Sequence, residues 1–179
     1  MKKIKYLIIV LLMAFSMLII SACNNEEPVV DDGIITLEKL QALVFEDETF
    51  DCIIHPWSNG YIDNVLPVWK ECARVLKKNG LLLSGFGNPI EYIFDSGKLE
   101  QGILEVKYSV PYADIDHMDD PKIKQIVESG GYIWSHTLED QIQGQIAAGF
   151  AIIGFYEDIG GTALDNYINS SIATKAIKL

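Results

Sequence analysis

The segment His55-Pro56-Trp57-Ser58-Asn59-Gly60-Tyr61 concentrates the side chains of this chain that are best suited to chemistry. It follows the apolar run Cys52-Ile53-Ile54, so its polar groups cap the end of a buried strand. An imidazole in that position can take a proton from a hydroxyl or amine nucleophile, which makes His55 the candidate general base. A strand-end histidine hydrogen-bonded to the backbone is the alternative. Pro56, Trp57, Ser58, Asn59 and Tyr61 are candidate pocket residues, with Trp57 either walling the pocket or packing. Asn88, before Pro89, is a candidate substrate-orienting residue or equally an Asn-Pro turn.

Other combinations offer less. His117 lies among Asp114, Asp116, Asp119 and Asp120, but no helical or strand spacing converges them on a metal, so no metal site is expected. His136 reads as part of a helix cap. Cys52 and Cys72 stand in apolar contexts without a CxxC or CxxH pattern and read as reduced, buried hydrophobes.

The elements that must position these residues follow from periodicity. Phe50 to Ile54 forms a buried strand, and Asp63 is the expected N-cap of a helix running to Lys78. Val65, Leu66, Val68, Trp69, Cys72, Val75 and Leu76 share one face of it, Pro67 fits its first turn, and Asn79-Gly80 stops it. Leu81 to Phe86 is a second buried strand. Further on come a turn over 90–95, a half-exposed strand over 103–108 and a helix over 121–128. A last helix follows Ser135 or Thr137, with Leu138, Ile142 and Ile146 inward. Phe150–Tyr156 is a third buried strand, and Ser171–Ile177 a fourth, antiparallel one. A short helix over 36–44 is also expected. Strands alternating with helices predict an α/β sheet.

The amino terminus resembles an export leader. Lys2, Lys3 and Lys5 precede the apolar run Tyr6–Ile20, which is shorter than the ~20 residues of a membrane span. Ile20-Ser21-Ala22-Cys23 resembles a bacterial lipobox, which implies cleavage before Cys23 and lipidation of its thiol. That predicts a signal peptide over 1–22, an acidic tether over 23–33 and a domain over 34–179. It places the chain on the outer face of a bacterial cytoplasmic membrane, or in the cytoplasm if the leader does not act. The 25 acidic and 14 basic residues give a net charge of −11, which repels nucleic acid and excludes it as a partner.

Residues from Val44 onward resemble the carboxy-terminal half of class I S-adenosylmethionine-dependent methyltransferases of the type 11 kind. The residues that carry the resemblance are Phe50-Asp51, then Cys72-Ala73-Arg74-Val75-Leu76-Lys77-Lys78-Asn79-Gly80 followed by Leu81-Leu82-Leu83-Ser84-Gly85-Phe86. Ser135–Asp140, Ala148-Gly149-Phe150 and Tyr156-Glu157-Asp158 extend it. The resemblance implies a partial Rossmann-like sheet with a terminal antiparallel strand, lacking the first strands. It also implies S-adenosylmethionine as cofactor and methyl transfer to a small molecule.

The family's glycine-rich cofactor turn and ribose-gripping acid do not appear ahead of Val44. The expectation is therefore a truncated domain, inactive without a partner, whose Phe50–His55 edge is bare and open to self-association. The alternatives are a lipid-anchored non-enzymatic protein or a decayed chimeric reading frame.

Overall fold

The computed structural model describes residues 6–8, as backbone, and 45–179. Cys23, the acidic tether, the lipobox and the expected helix over 36–44 lie outside the described residues.

Five strands form one mixed sheet: β1 (Tyr6–Ile8), β2 (Phe50–Pro56), β3 (Leu76–Gly87), β4 (Phe150–Asp158) and β5 (Ser171–Lys178). Their spatial order is β1-β2-β3-β5-β4. β1, β2 and β3 are parallel, whereas β5 runs antiparallel to both of its neighbours. The α/β class and the terminal antiparallel strand agree with expectation.

The bare edge does not. Tyr6, Leu7 and Ile8 pair with Cys52, Ile53 and Ile54, so part of the run read as an export leader is a sheet strand beside β2.

One face of the sheet is covered by α1 (Leu66–Val75). Its stripe of Val68, Trp69, Cys72 and Val75 packs on Ile53, Leu82 and Ala176, which stand side by side across β2, β3 and β5. Trp69 is fully buried and donates its indole N–H to Asp140 O at 2.9 Å. Pro67 occupies the first turn, as predicted, but Asn64 rather than Asp63 supplies the capping carboxamide, to Leu66 N–H at 3.1 Å. The helix also ends three residues before Lys78. Leu76 already pairs with Phe50, and Asn79 takes a left-handed φ of 63° before the ladder resumes at Leu81.

Between β3 and β4 lie α2 (Ser96–Leu99), α3 (Pro121–Gly130), and a π-helical turn (Glu139–Gln143) that runs into α4 (Gly144–Ala147). The strand expected over 103–108 reduces to a single bridge between Val106 and Phe94. β4, expected as a buried strand, is the sheet's outer strand. Ile153, Phe155 and Tyr156 are about half exposed along it. The last helix also turns a different face inward. Leu138 and Ile146 are exposed, while Gln141, Gly144 and Gln145 are buried. A π turn shifts the helical phase, and the buried glutamines answer polar groups of the sheet.

Candidate functional site

Alternation along β2 puts His55 on the same face as Ile53, pointing into the interior rather than toward ligand. His55 is fully buried, edge-on to Trp69 with ring centroids 5.6 Å apart. Across the ladder it pairs with Ser84, and Ser84 with Thr174, so one polar row crosses an otherwise apolar face.

Buried polar groups must find partners, and here they form a chain. The Ser58 hydroxyl donates to His55 Nδ1 at 3.0 Å, and His55 Nε2–H donates to Asn59 Oδ1 at 2.5 Å. Asn59 Nδ2 donates to Gln141 Oε1 at 2.7 Å. Gln145 then donates to Gln141 O at 2.7 Å and accepts from the Thr174 hydroxyl at 3.0 Å. Among the described residues Ser84 Oγ is the one buried side-chain polar atom without a partner.

The structure places the general-base candidate His55 inside this chain of hydrogen bonds. Both ring nitrogens are occupied inside the protein, and burial lowers its pKa below the ordinary imidazole value, holding it neutral. Its hydrogen bonds to Ser58 and Asn59 tie it to the turn that follows.

That turn, a 3₁₀ turn over Ser58–Tyr61, stands at the carboxyl end of β2, where open parallel sheets face their ligands. It is held from several sides. His136 Nε2 donates to Asn59 O at 3.0 Å, and Trp134 N–H to Gly60 O at 2.8 Å. Ser58 and Asn59 are buried, so of the predicted pocket residues these two support the crest from beneath. Pro56 and Tyr61 are partly exposed.

Trp57 is 49% exposed and adopts a left-handed φ of 53°, a conformation that costs a bulky residue on the order of 1–3 kcal/mol. Its N–H donates to Gly85 O at 2.8 Å, and its indole lies over Gly85 and Gly87. A Cβ at Gly87 would stand 3.4 Å from the Trp57 ring, so glycine there lets the indole lie close to β3. Tyr92 packs beside Gly87 and Gly60, with its hydroxyl pushed up to about 12 by burial and therefore protonated. The result is an aromatic ledge at the strand ends. Asn88 is occupied as a local cap: it accepts from Ile90 N–H at 3.3 Å and donates to Asn169 O at 3.2 Å.

The acidic loop is built around Asp114, which is buried and accepts from the Tyr112 hydroxyl at 2.6 Å and from Ile133 N–H at 2.9 Å. His117 stacks on the Tyr112 ring. No group of three or more potential metal ligands converges among the described residues. Cys52 and Cys72 are free and buried, with the Cys72 thiol pushed up to about 12, chiefly by desolvation. No helix among the described residues is long and apolar enough to cross a membrane.

Sequence reasoning missed Gln141, Gln145, Thr174 and the position of His136. The glutamines are spaced i, i+4, a signal for one face, but Leu138, Ile142 and Ile146 offered a more apolar alternative.

Comparison with known proteins bears on both fold and site. Residues 8–84 match the family described as Methyltransferase domain, a stretch that begins inside β1 and extends through the crest turn into β3. A Bacillus subtilis (strain 168) protein, named uncharacterized methyltransferase YbaJ, is 52% identical over 137 residues, which cover 76% of this chain and 54% of that protein. The chain thus spans about half the length of the curated relative it matches. An S-adenosylmethionine-dependent methyltransferase of Mesorhizobium loti superposes with a TM-score of 0.54 at 13% identity, over 83% of this chain and 67% of that one. A Listeria monocytogenes structure assigned to the same class gives 0.53 at 14% identity, over 78% and 66%. The fold is therefore similar to that of these solved structures, and similarity to the methyltransferase domain runs through the strand and turn that carry the candidate site.

Proposed function

We propose that this chain is a methyltransferase-type domain that presents the crest turn and the Trp57 ledge to S-adenosylmethionine and a small-molecule acceptor. The observation that carries the reading is the 52% identity to the Bacillus subtilis protein over 137 residues, which include neighbours of the crest. The strained Trp57 at the ends of the parallel strands agrees with it.

The described residues fit one side of such a cofactor. Trp57, Gly85, Gly87 and Tyr92 offer a flat aromatic and glycine surface that suits the sulfonium or the acceptor. No glycine-rich turn between a strand and a helix, with an acidic strand end beside it, occurs among them to grip the ribose. When bound, the cofactor supplies an electrophilic methyl group. The chain's own residues hold the acceptor in line with it and exclude water, and methyl transfer draws much of its rate from such alignment. Isothermal titration of the full chain with S-adenosylhomocysteine should give saturable heat. Flat heats on folded protein would contradict cofactor binding.

We also infer that the amino-terminal run belongs to the domain. The pairing of Tyr6–Ile8 with β2 and the family match from residue 8 both support retention, because cleavage before Cys23 would remove β1. On this reading Cys23 carries no lipid and the chain is cytoplasmic. Intact-mass measurement on the chain expressed in a bacterium tests it: the unprocessed mass is expected, and a diacylated chain starting at Cys23 would restore the membrane-anchored lipoprotein.

A further inference from the structure

Beside the crest turn lies a cleft of about 250 Å³, lined among others by Asp63, Asp116, Asp140, Tyr112, Trp134 and His136. Its size suits a small organic molecule. Among the described residues three of its lining residues are acidic, and no lysine or arginine lines it. The Asp63 and Asp116 carboxylates have no hydrogen-bond or ion-pair partner among the described residues, whereas Asp140 accepts from the Thr137 hydroxyl at 2.9 Å. Trp134 and Tyr112 add aromatic surface that attracts cations.

His136 provides an independent observation. His136 is one of the lining residues and is only 7% exposed. Nε2 donates to a backbone carbonyl, Asn59 O, so in the neutral ring the lone pair lies on Nδ1. Nδ1 has no partner among the described residues. Because Ser84 Oγ is the sole unpartnered buried side-chain polar atom among them, Nδ1 is open to solvent. A nearly buried imidazole thus has an open acceptor nitrogen, and it lines a cleft whose Asp63 and Asp116 carboxylates are neutralised by no cation among the described residues.

We propose that this cleft binds a small primary or secondary organic ammonium ion. The carboxylates hold its positive charge, and His136 Nδ1 accepts one of its N–H groups. A carboxylate or phosphate ligand would meet repulsion there. Assigning the bound amine as the methyl acceptor rests on the function proposed above, whereas its binding does not.

The experiment is isothermal titration of the full chain, without cofactor, using phenethylamine as probe. Comparison ligands are its N,N,N-trimethyl analogue, which has no N–H, and phenylacetate. Phenethylamine is expected to bind, the quaternary analogue to bind at least fivefold more weakly, and phenylacetate not to bind. Asp63→Asn combined with Asp116→Asn, both at exposed positions, is expected to weaken phenethylamine at least tenfold. His136→Gln keeps an N–H for Asn59 O but removes the acceptor, so it should weaken phenethylamine severalfold and leave the quaternary analogue unchanged. The proposal is overturned by absent phenethylamine binding on protein with a native thermal transition, by equal binding of phenylacetate, or by unchanged affinity in the aspartate variant. Equal loss of both amines in His136→Gln would assign that residue a purely structural role and overturn its part. Failure of S-adenosylhomocysteine to bind would leave these outcomes intact, and failure of the amine would leave the cofactor reading intact.

Discussion

Each polar side chain in the His55 chain is held by the next, so removing a member leaves its neighbours unsatisfied in the interior. His55→Ala would orphan Asn59 Oδ1 and the Ser58 hydroxyl and open a cavity beside Trp69. A loss of about 2–4 kcal/mol is expected in urea unfolding. The same residue gives a pH signature. Its folded pKa lies below its unfolded value, so the unfolded chain takes up the proton more readily. The stability it contributes is complete above about pH 6.5 and declines as pH falls. Unfolding at pH 7.5 and 5.5 should show this decline in the parent and a smaller one in His55→Ala.

Ser84 supplies the opposite case. Its buried hydroxyl has no partner, so Ser84→Ala should leave stability unchanged or raise it by about 1 kcal/mol in the same measurement. His55 stood out in the sequence because a histidine after an apolar strand is conspicuous. Its burial was also legible, since a period of two places it on the face of Ile53. Its partners Ser58 and Asn59 are sequence neighbours; what the sequence withheld was Gln141, which meets Asn59 from 82 positions away.

At the scale of elements, α1 and the strands around it could be read directly, because their apolar stripes have unambiguous periods. The last helix could not. Two candidate faces competed there, and a π turn together with the polar row of the sheet selected the less apolar one. β4 was read as buried because its residues are apolar, but burial of a strand depends on its place in the sheet. That place was set when β5 paired between β3 and β4.

Gly144 marks where helix contact is closest. A Cβ there would come within 2.8 Å of both Leu66 and Trp69 side-chain atoms. Gly144→Ala should therefore cost about 1–3 kcal/mol through forced repacking, despite alanine's better helix propensity. Thermal unfolding checks this, and a stabilised variant would show that α1 and α4 are more loosely packed than described.

For the whole molecule, the crest turn, the Trp57 ledge and the acidic cleft share the carboxyl end of the parallel strands. They rest on a sheet whose fold is similar to that of a solved methyltransferase structure. The family resemblance was legible because the helix–turn–strand phrase around Arg74–Gly80 is specific. The pairing of Tyr6–Ile8 with β2 was not, because a short apolar run does not name its partner.

The central claim is that ligand meets this domain at the crest. Heteronuclear NMR of the labelled chain titrated with S-adenosylmethionine tests it most directly, through the Trp57 indole resonance and the backbone amides over 57–61. The account predicts saturable shifts concentrated at Trp57, at the turn and at Gly85 and Gly87. Saturable shifts that leave these residues unmoved, or no shifts on a folded protein, would contradict it.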